Sequence, residues 1–214
     1  MTRYSKEIVS HRFHFALPAL LALGLVTSSC GDSSSPPDPI IRPETDLNIL
    51  TLAVGSPPLL EDSISFYALY DENREGEINF VGGERYLSLK IDRHALSTRP
   101  DGSSFGPGDS VLITIKVKAP DSLLFDFQPA GLRFSAGSPA ELSIEYGHAG
   151  TDLPGDFNDD GEIDLLDDQI ESQLCIWRQA TAADPFTCLG SVTEIEVDEI
   201  KADIPGFSRF ALAY

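Results

Sequence analysis

Alternating apolar and polar residues mark two segments in the middle of the chain as half-buried β-strands. In residues 85–92, RYLSLKID, three aliphatic side chains fall on one side of an extended chain, and Tyr, Ser and Lys fall on the other. Residues 111–118, VLITIKVK, repeat the pattern with four branched aliphatic residues on one side. A period of two is that of a strand with one face against a core and the other toward solvent. We therefore expect one face of each strand to contribute to the core.

Shorter apolar segments separated by turn-forming residues continue this pattern. ISFYALY and EINF, joined by DENREG, are expected to form a hairpin. LLFDF, LRF and ELSIEY follow, separated by QPAG and SAGSPA, in which Pro, Gly and Ser favour chain reversal. LNILTLAV, residues 47–54, is ambiguous and could be a first strand that SPP ends. The whole pattern predicts an all-β domain folded as an antiparallel β-sandwich.

The amino-terminal segment has the features of a secretory signal. Three basic residues precede the apolar run 15–26, and three small residues follow it before Cys30. The run is too short for a stable membrane-spanning helix, which needs about 20 residues. LVTSSC resembles the bacterial lipobox, which implies that 1–29 is removed and that Cys30 is acylated. A lone cysteine after an ordinary signal peptide is the alternative.

The residues that follow Cys30 divide into a linker and a folded domain. Ser, Pro and Asp dominate the segment after Cys30 without an apolar period, so 30–46 is expected to be a flexible linker. The β-sandwich domain is then expected to span 47–214. The protein has 214 residues, 42% of them hydrophobic, which is enough to fill a core.

The strongly acidic charge limits the possible partners. The formal net charge of −19 would repel a phosphate backbone or an anionic lipid surface, and no basic stripe offsets it. Cations are more natural partners, although acidity also serves to keep a secreted protein soluble.

Two of the three cysteines can pair with each other. Cys175 and Cys188 flank the turn-forming stretch ATAADP, so a hairpin would bring them near one another. An oxidising compartment outside the cytoplasm permits a disulfide there. Two buried thiols are the alternative.

The most specific chemical signal is the stretch DFNDDGEIDLLD, residues 156–167. Oxygen-bearing side chains fall at its positions 1, 3, 5, 9 and 12, and Gly161 stands at position 6, which is the EF-hand spacing. The expected calcium ligands are the side chains of Asp156, Asn158, Asp160 and Asp167, the backbone carbonyl of Glu162, and Asp164 directly or through water. Asp at position 12 is shorter than Glu, so we expect an affinity on the order of 10⁻⁴ to 10⁻³ M.

The loop is expected to belong to an insertion, 152–173, between the strands ELSIEY and LCIWR. Pro154 and Gly155 disfavour an incoming helix. After the loop, Asp164 is a natural N-cap for one short helix, in which Leu166, Ile170 and Leu174 share a face. Ile163, at position 8, is expected to pack against the fold. One loop with one helix resembles half of a dockerin repeat, and it favours structural calcium over a sensor, which needs a bistable helix pair.

Several segments together resemble a known domain family. FDFQPAGLRF contains a P-x-G-L-x-F corner, and SPAELSIEY contains P-x-x-L-x-I-x-Y. LCIWR and the closing IPGFSRFALAY are similar to its L-x-I-W-R and terminal H-F-S-x-F-A strands. Over residues 64–214 the chain thus resembles the ZU-five type β-sandwich of ankyrins, netrin receptors and many bacterial surface lipoproteins. The resemblance implies an Ig-like antiparallel sandwich.

Catalytic chemistry finds little support in the sequence. His94 and His148 are far apart and expected on turns, and no nucleophile elbow, P-loop or dinucleotide fingerprint is present. Some members of the resembling family cut their own chain within His-Phe-Ser. Here Gly206 replaces that histidine before Phe207 and Ser208, which removes the expected base.

The sequence therefore predicts a non-enzymatic, lipid-anchored protein of a bacterial outer membrane or cell surface. Structural Ca²⁺ would stabilise its sandwich, and its role would be adhesion, scaffolding or display of a protein or glycan ligand. A polysaccharide-binding module and a self-processing domain are the alternatives. An exposed Trp177 would favour sugar binding, whereas a Trp covering the cysteine pair or the core is commoner.

Overall fold

Two antiparallel β-sheets enclose the main hydrophobic core in the computed structural model, which describes residues 38–214. The all-β sandwich predicted from the sequence is confirmed. The strands are β1 (Ile41–Arg42), β2 (Ser63–Leu69), β3 (Arg74–Asn79), β4 (Arg85–Ile91), β5 (Leu96–Thr98), β6 (Ser110–Val117), β7 (Leu124–Gln128), β8 (Arg133–Phe134), β9 (Ala140–Glu145), β10 (Cys175–Gln179), β11 (Phe186–Cys188), β12 (Val192–Glu194), β13 (Glu199–Ile204) and β14 (Arg209–Ala213).

The strands are distributed over two large sheets and one small one. A seven-stranded sheet has the order β1-β11-β10-β14-β7-β6-β2, and a five-stranded sheet has the order β12-β13-β9-β4-β3. β5 and β8 form a separate pair. One α-helix of the described chain, α1 (Leu165–Glu171), follows the acidic loop, and two 3-10 helices span Glu44–Asp46 and Ile195–Val197.

In β6, the apolar residues that the period of two predicts to face the core do face it. Ile113, Ile115 and Val117 are buried in the core, whereas Lys116 is exposed and Thr114 is partly exposed. Burial of large branched side chains such as these stabilises a fold by about 1.5–3 kcal/mol each relative to exposure.

β4 departs from simple alternation at its first residues. The register with β3 shifts between Ile78 and Asn79, so that Asn79 faces Arg85 and Ile78 faces Leu87. The extra residue, Tyr86, is then fully buried in the core beside Leu87. A β-bulge of this kind places two consecutive side chains where the alternation predicts one, and it leaves Arg85 to bond Glu145 on β9.

The hairpin predicted between β2 and β3 is wrong. β2 pairs with β6 in one sheet and β3 pairs with β4 in the other, so residues 70–73 cross from sheet to sheet. The two strands face each other through their apolar sides. A Cβ on Gly76 would lie 2.2 Å from the ring of Phe66, so the ring packs directly on the backbone of this glycine.

Part of the predicted linker is ordered, and the ambiguous segment is not a strand. Within 38–46, β1 pairs with β11 and a 3-10 helix follows. Residues 47–54 form only isolated bridges, such as Ile49 with Ala213. Leu47 contributes to a second apolar cluster, outside the main core, with Cys175, Trp177, Phe186, Ala211 and Ala213. The amino-terminal segment therefore covers part of the seven-stranded sheet.

The predicted signal peptide, 1–29, and the acylated Cys30 lie outside the described residues. Within 38–214, no helix has the length and apolarity needed to span a membrane.

Candidate metal centre

The acidic loop lies in the connection from β9 to β10 and is fastened to the sandwich at both ends. Before the loop, Gly155 N donates to Ala149 O at 2.8 Å, and Gly150 forms a bridge with Pro154. A Cβ on Gly150 would lie 2.1 Å from Leu153 O, so this tight turn requires glycine. Within the loop, Tyr214 donates its hydroxyl hydrogen to Phe157 O at 3.0 Å. The connection is thus tied to Tyr214, which follows β14.

Asp156, the first predicted ligand, is fully buried. Its Oδ1 accepts from Asp159 N at 2.9 Å and from Asp160 N at 3.3 Å, and its Oδ2 accepts from Gly161 N at 3.0 Å. These bonds wrap the loop around the carboxylate. Asp159 and Gly161 have φ of 63° and 83°, and Asn, Asp and Gly are the residues that adopt this left-handed conformation most readily.

Asp167, the last predicted ligand, closes the loop. It is 2% exposed, and its Oδ1 accepts from Phe157 N at 2.7 Å. Its Oδ2 accepts from Asp164 N at 2.9 Å, while Asp164 Oδ1 accepts from Leu166 N at 2.7 Å. The Asp164 side chain also accepts from the backbone N–H of Asp167, and the reciprocal bonds between Asp164 and Asp167 form a capping box, so Asp164 is the N-cap of α1 as predicted. Asp167 thereby joins the beginning of the loop to the beginning of the helix.

The middle ligands lie closer to solvent. Asn158 Nδ2 donates to Asp160 Oδ2 at 2.9 Å, and Asp160 N donates to Asn158 Oδ1 at 3.1 Å. Asp160 Oδ1 accepts from Glu162 N at 3.0 Å. Glu162 and Asp164 are exposed, and Asn158 is partly exposed. The structure therefore brings the predicted ligands into one closed loop with two buried carboxylates and a solvent-facing rim.

The negative charges of the loop are not balanced by nearby basic side chains among the described residues. Among residues 38–214, no Lys, Arg or His lies within 4.0 Å of a predicted carboxylate ligand, although eleven such contacts occur elsewhere in that range. Burial by itself would raise the pKa of Asp167, but hydrogen bonds from the backbone N–H groups of Asp164 and Phe157 outweigh it and lower the pKa. Backbone N–H groups therefore favour the charged form of this buried carboxylate, and no basic side chain among the described residues shares that charge.

The donor set suits a hard divalent cation. Every predicted ligand offers oxygen, and a carboxylate has about four acceptor sites, of which Asp156 uses three and Asp167 uses two. In this structure the side chains bond backbone N–H groups. Within the described residues, no three His, Cys, Asp or Glu side chains are gathered as a metal cluster. Binding would require the solvent-facing side chains to turn toward the buried pair.

The predicted apolar contacts of the insertion are wrong in part. Ile163 is 62% exposed instead of packing against the fold, and Leu166 is exposed on α1. Leu174 is buried, but it follows the end of the helix. The buried residue of α1 is Asp167, because the capping box turns that side chain toward the loop.

A tyrosine contact that the sequence did not indicate supports the outgoing helix. Tyr146, directly after β9, donates to Glu171 Oε1 at 2.8 Å, and Tyr146 is buried. Burial raises the pKa of Tyr146, and the hydrogen bond to Glu171 raises it further. The two residues are 25 positions apart, so only the fold brings them together. They line a cleft of about 190 Å³ between the insertion and the sandwich, together with Asp167 and Asp198.

The predicted disulfide is present. Cys175 and Cys188 are joined across β10 and β11, with Cα atoms 5.9 Å apart. Cys188 faces Trp177 in the strand register, so the two cysteines are diagonal neighbours. Trp177 is buried in the second apolar cluster and donates Nε1–H to Ala213 O at 3.0 Å. It is therefore not an exposed sugar platform.

The residues considered for catalysis occupy separate places. His94 and His148 lie on turns, and their Nε2 atoms approach Asp71 at 3.5 Å and Glu84 at 3.0 Å. Phe207 packs in the core against Phe127 and Phe134. The ion-pair and ring partners of the two histidines, Asp71, Tyr70, Glu84 and Phe80, lie outside the Gly206–Ser208 segment.

No protein-family model, curated protein or solved structure matches this chain. The interpretation of the loop therefore depends on its own residues and geometry.

Proposed function

We propose that this chain is a non-enzymatic, lipid-anchored protein of the bacterial cell envelope whose β-sandwich is stabilised by one structural Ca²⁺ in the loop 156–167. The observation that carries the proposal is the burial of Asp156 and Asp167, at 0% and 2% exposure, without a basic partner among the described residues. A buried carboxylate is costly unless it is paired or bound to a metal. The role of the protein would be adhesion, scaffolding or ligand display.

The ion would neutralise a concentration of negative charge that the fold itself creates. Asp156, Asn158, Asp160 and Asp167 would offer side-chain oxygens, Glu162 its carbonyl, and Asp164 a direct or water-mediated contact. Without the ion, four carboxylates of one loop repel each other. Calcium supplies the compensating charge when bound.

An ion bound in the insertion would also stabilise the sandwich, because the insertion forms hydrogen bonds with residues next to the strands of both sheets. Asp167 connects the loop to α1, and Tyr146 connects α1 to β9. Tyr214 connects the loop to the end of β14. A ligand that binds only the folded loop stabilises every element whose order depends on it.

The proposed anchor is the lipid on Cys30. The lipobox-like LVTSSC ends at this cysteine, and β1 begins eleven residues after it, at Ile41. Multiple acylation of one cysteine would hold the protein at the membrane more firmly than one chain does. The ZU-five and dockerin-like resemblances fit a surface lipoprotein of this kind.

Calcium dependence of thermal stability tests the ion. With a dissociation constant of 10⁻⁴ to 10⁻³ M, 10 mM Ca²⁺ would stabilise the fold by about 1.4–2.7 kcal/mol relative to excess chelator. For a domain of this size, we expect the melting temperature to rise by roughly 3–10 °C. Differential scanning calorimetry of the full chain measures the shift.

A neighbouring residue provides the matched control. Asp160→Asn removes one charge from a predicted ligand and should reduce the calcium-dependent shift by at least about half. Asp159→Asn removes the same charge one residue earlier, at a φ of 63° that Asn tolerates, and should keep the shift. Equal melting temperatures in calcium and in chelator, or equal losses in both variants, would reject the calcium site.

Lipidation is tested separately. Cells that express the chain should incorporate labelled palmitate into it, and Cys30→Ala should abolish the label. Labelling that persists in Cys30→Ala, or no labelling of the wild type, would reject the anchor while leaving the calcium proposal intact.

A further inference from the structure

β2 is an edge strand, and one of its sides has no strand beside it in the described chain. It ends the seven-stranded sheet and pairs with β6 through seven consecutive residue pairs without a register shift. Just before β2, Asp62 O accepts from Val117 N at 2.9 Å. Just after β2, Tyr70 N donates to Asp109 O at 2.9 Å. Both bonds continue the register of the pair.

These two bonds determine which backbone groups of β2 face the open side. Opposed residues of an antiparallel pair alternate between hydrogen-bonded and non-hydrogen-bonded positions. Asp62 and Tyr70 occupy hydrogen-bonded positions, so the even-numbered residues of β2 bond β6. The N–H and C=O groups of Ser63, Ser65 and Tyr67 are therefore directed to the open edge. Among the described residues, no other strand bonds them there.

β2 lacks the features by which proteins usually protect an edge strand. Protected edges are short, charged, bulged, covered or interrupted by proline. β2 has seven residues, SISFYAL, without a charge, a proline or a register shift. β1 and β12 have only two and three residues, and β3 carries Arg74, Glu75 and Glu77 together with a bulge. In the described chain, β2 is thus the one long, uncharged edge of the two large sheets.

Apolar side chains on both faces of β2 remain partly exposed. On the inner face, Ile64 and Phe66 pack against the main core but are only partly buried. On the outer face, Tyr67 is 61% exposed and lies opposite Leu112 of β6, which is 48% exposed. A strand added beside β2 would remove apolar surface from water on both faces, in addition to bonding the open backbone groups.

We infer that β2 pairs with β2 of a second copy of this chain, in antiparallel orientation about a two-fold axis. Centred on Phe66, this pairing places Ser65 opposite Tyr67 of the other copy, and both are edge-directed positions. The strand is therefore complementary to itself, and no charged residue lies within the paired segment. A two-fold contact uses the same surface on both copies and closes at the dimer. The interface is separate from the loop 156–167 and goes beyond the structural role proposed above.

The acidic charge of the chain opposes this association at low salt. Each copy has a formal net charge of −19. If the pairing is extended beyond β2, Glu61 lies opposite Asp71 of the other copy at both ends. Salt screens exposed like charges over a Debye length of about 8 Å at 0.15 M and about 3 Å at 1 M. The dimer should therefore be tighter at the higher salt concentration.

Sedimentation equilibrium measures the association. The chain is produced as Cys30→Ala, so that an acyl anchor cannot bring copies together, and this reference chain is measured from about 10 μM to 1 mM. The salt concentration is about 0.15 M or 1 M. We expect a monomer–dimer equilibrium with a dissociation constant below about 1 mM, lower in 1 M salt, and no larger species.

Two substitutions at edge-directed positions should each weaken the dimer at least about tenfold. Ser65→Pro removes an N–H that does not bond β6, so the partner strand loses a donor while the pairing with β6 is kept. Tyr67→Lys places a charge on the paired edge. Val192→Lys is the matched control, because Val192 is 63% exposed on β12, and β12 and β3 are the opposite edges of their sheet. Phe66 of β2 packs on Gly76 of β3, so this control is remote from the interface.

Amide hydrogen exchange locates the interface by NMR. On dimerisation, the N–H groups of Ser65 and Tyr67 should exchange more slowly, whereas those of Ile64 and Phe66 already bond β6 and should change little. The inference is overturned if the chain stays monomeric up to about 1 mM in 1 M salt, or associates without slower exchange at Ser65 and Tyr67. Growth beyond a dimer, equal weakening by Val192→Lys, or unchanged association in both edge variants also overturns it.

Discussion

Gly206 occupies a point where two backbone segments nearly touch. A Cβ at this position would lie 2.4 Å from Leu132 O, and Phe207 N donates to the same oxygen at 2.8 Å. The sequence showed only a glycine where the family that the chain resembles has the histidine of His-Phe-Ser. The structure adds that no side chain fits there, so the residue is required by the packing of the terminal strand.

Gly206→Ala should therefore destabilise the fold. Either the backbone of Leu132 or that of the terminal strand must move, and overpacking of this kind typically costs about 1–3 kcal/mol. Urea unfolding followed by the fluorescence of the single Trp, Trp177, measures the loss.

Gly190→Ala is the matched control. A Cβ at Gly190 meets nothing within 4 Å, so this variant should change the unfolding free energy by no more than about 0.5 kcal/mol. Equal stability of Gly206→Ala and Gly190→Ala would contradict the close approach.

The roles of single residues were predictable where they depend on the spacing of residues within one short segment. The positions of Asp156, Asp160 and Asp167, the N-cap role of Asp164 and the turn at Gly161 follow from the sequence of one loop. The exposure of Ile163 and the pairing of Tyr146 with Glu171 did not follow, because both depend on segments distant in sequence.

Among the elements, strands with clear alternation were predictable and their pairing was not. β6 follows its apolar period, but β2 and β3 separate into different sheets although a short turn joins them. The alternation predicts that Tyr86 faces solvent, but Tyr86 is buried, because β4 contains a bulge that its sequence does not indicate. Pairing and register are set by contacts across the core, which local patterns do not specify.

A disulfide closes the hairpin of β10 and β11. The cross-link joins residues 13 apart, and a loop of that size stabilises a fold by roughly 3 kcal/mol in the chain-entropy model. Replacing Cys175 and Cys188 together by Ala should lower the unfolding free energy by about that amount in urea. Reduction of the wild type with dithiothreitol should lower it similarly. An unchanged urea midpoint in both experiments would show that the cross-link contributes nothing to stability.

At the scale of the whole molecule, the negative charge of the loop affects the stability of the sandwich, because hydrogen bonds connect the insertion to both sheets. Asp156 and Asp167 are buried without a basic partner in the described chain, and hydrogen bonds through Tyr214 and Tyr146 connect their loop to β14 and β9. An ion that neutralises the loop would therefore stabilise both sheets.

Calorimetric titration of Ca²⁺ into the full chain is the most direct test of the calcium site. We expect one bound ion per chain, with a dissociation constant of about 10⁻⁴ to 10⁻³ M. Asp160→Asn should weaken binding at least about tenfold, and Asp159→Asn should leave it unchanged. No heat of binding, together with no calcium retained in equilibrium dialysis at 10 mM free ion, would contradict a structural calcium site.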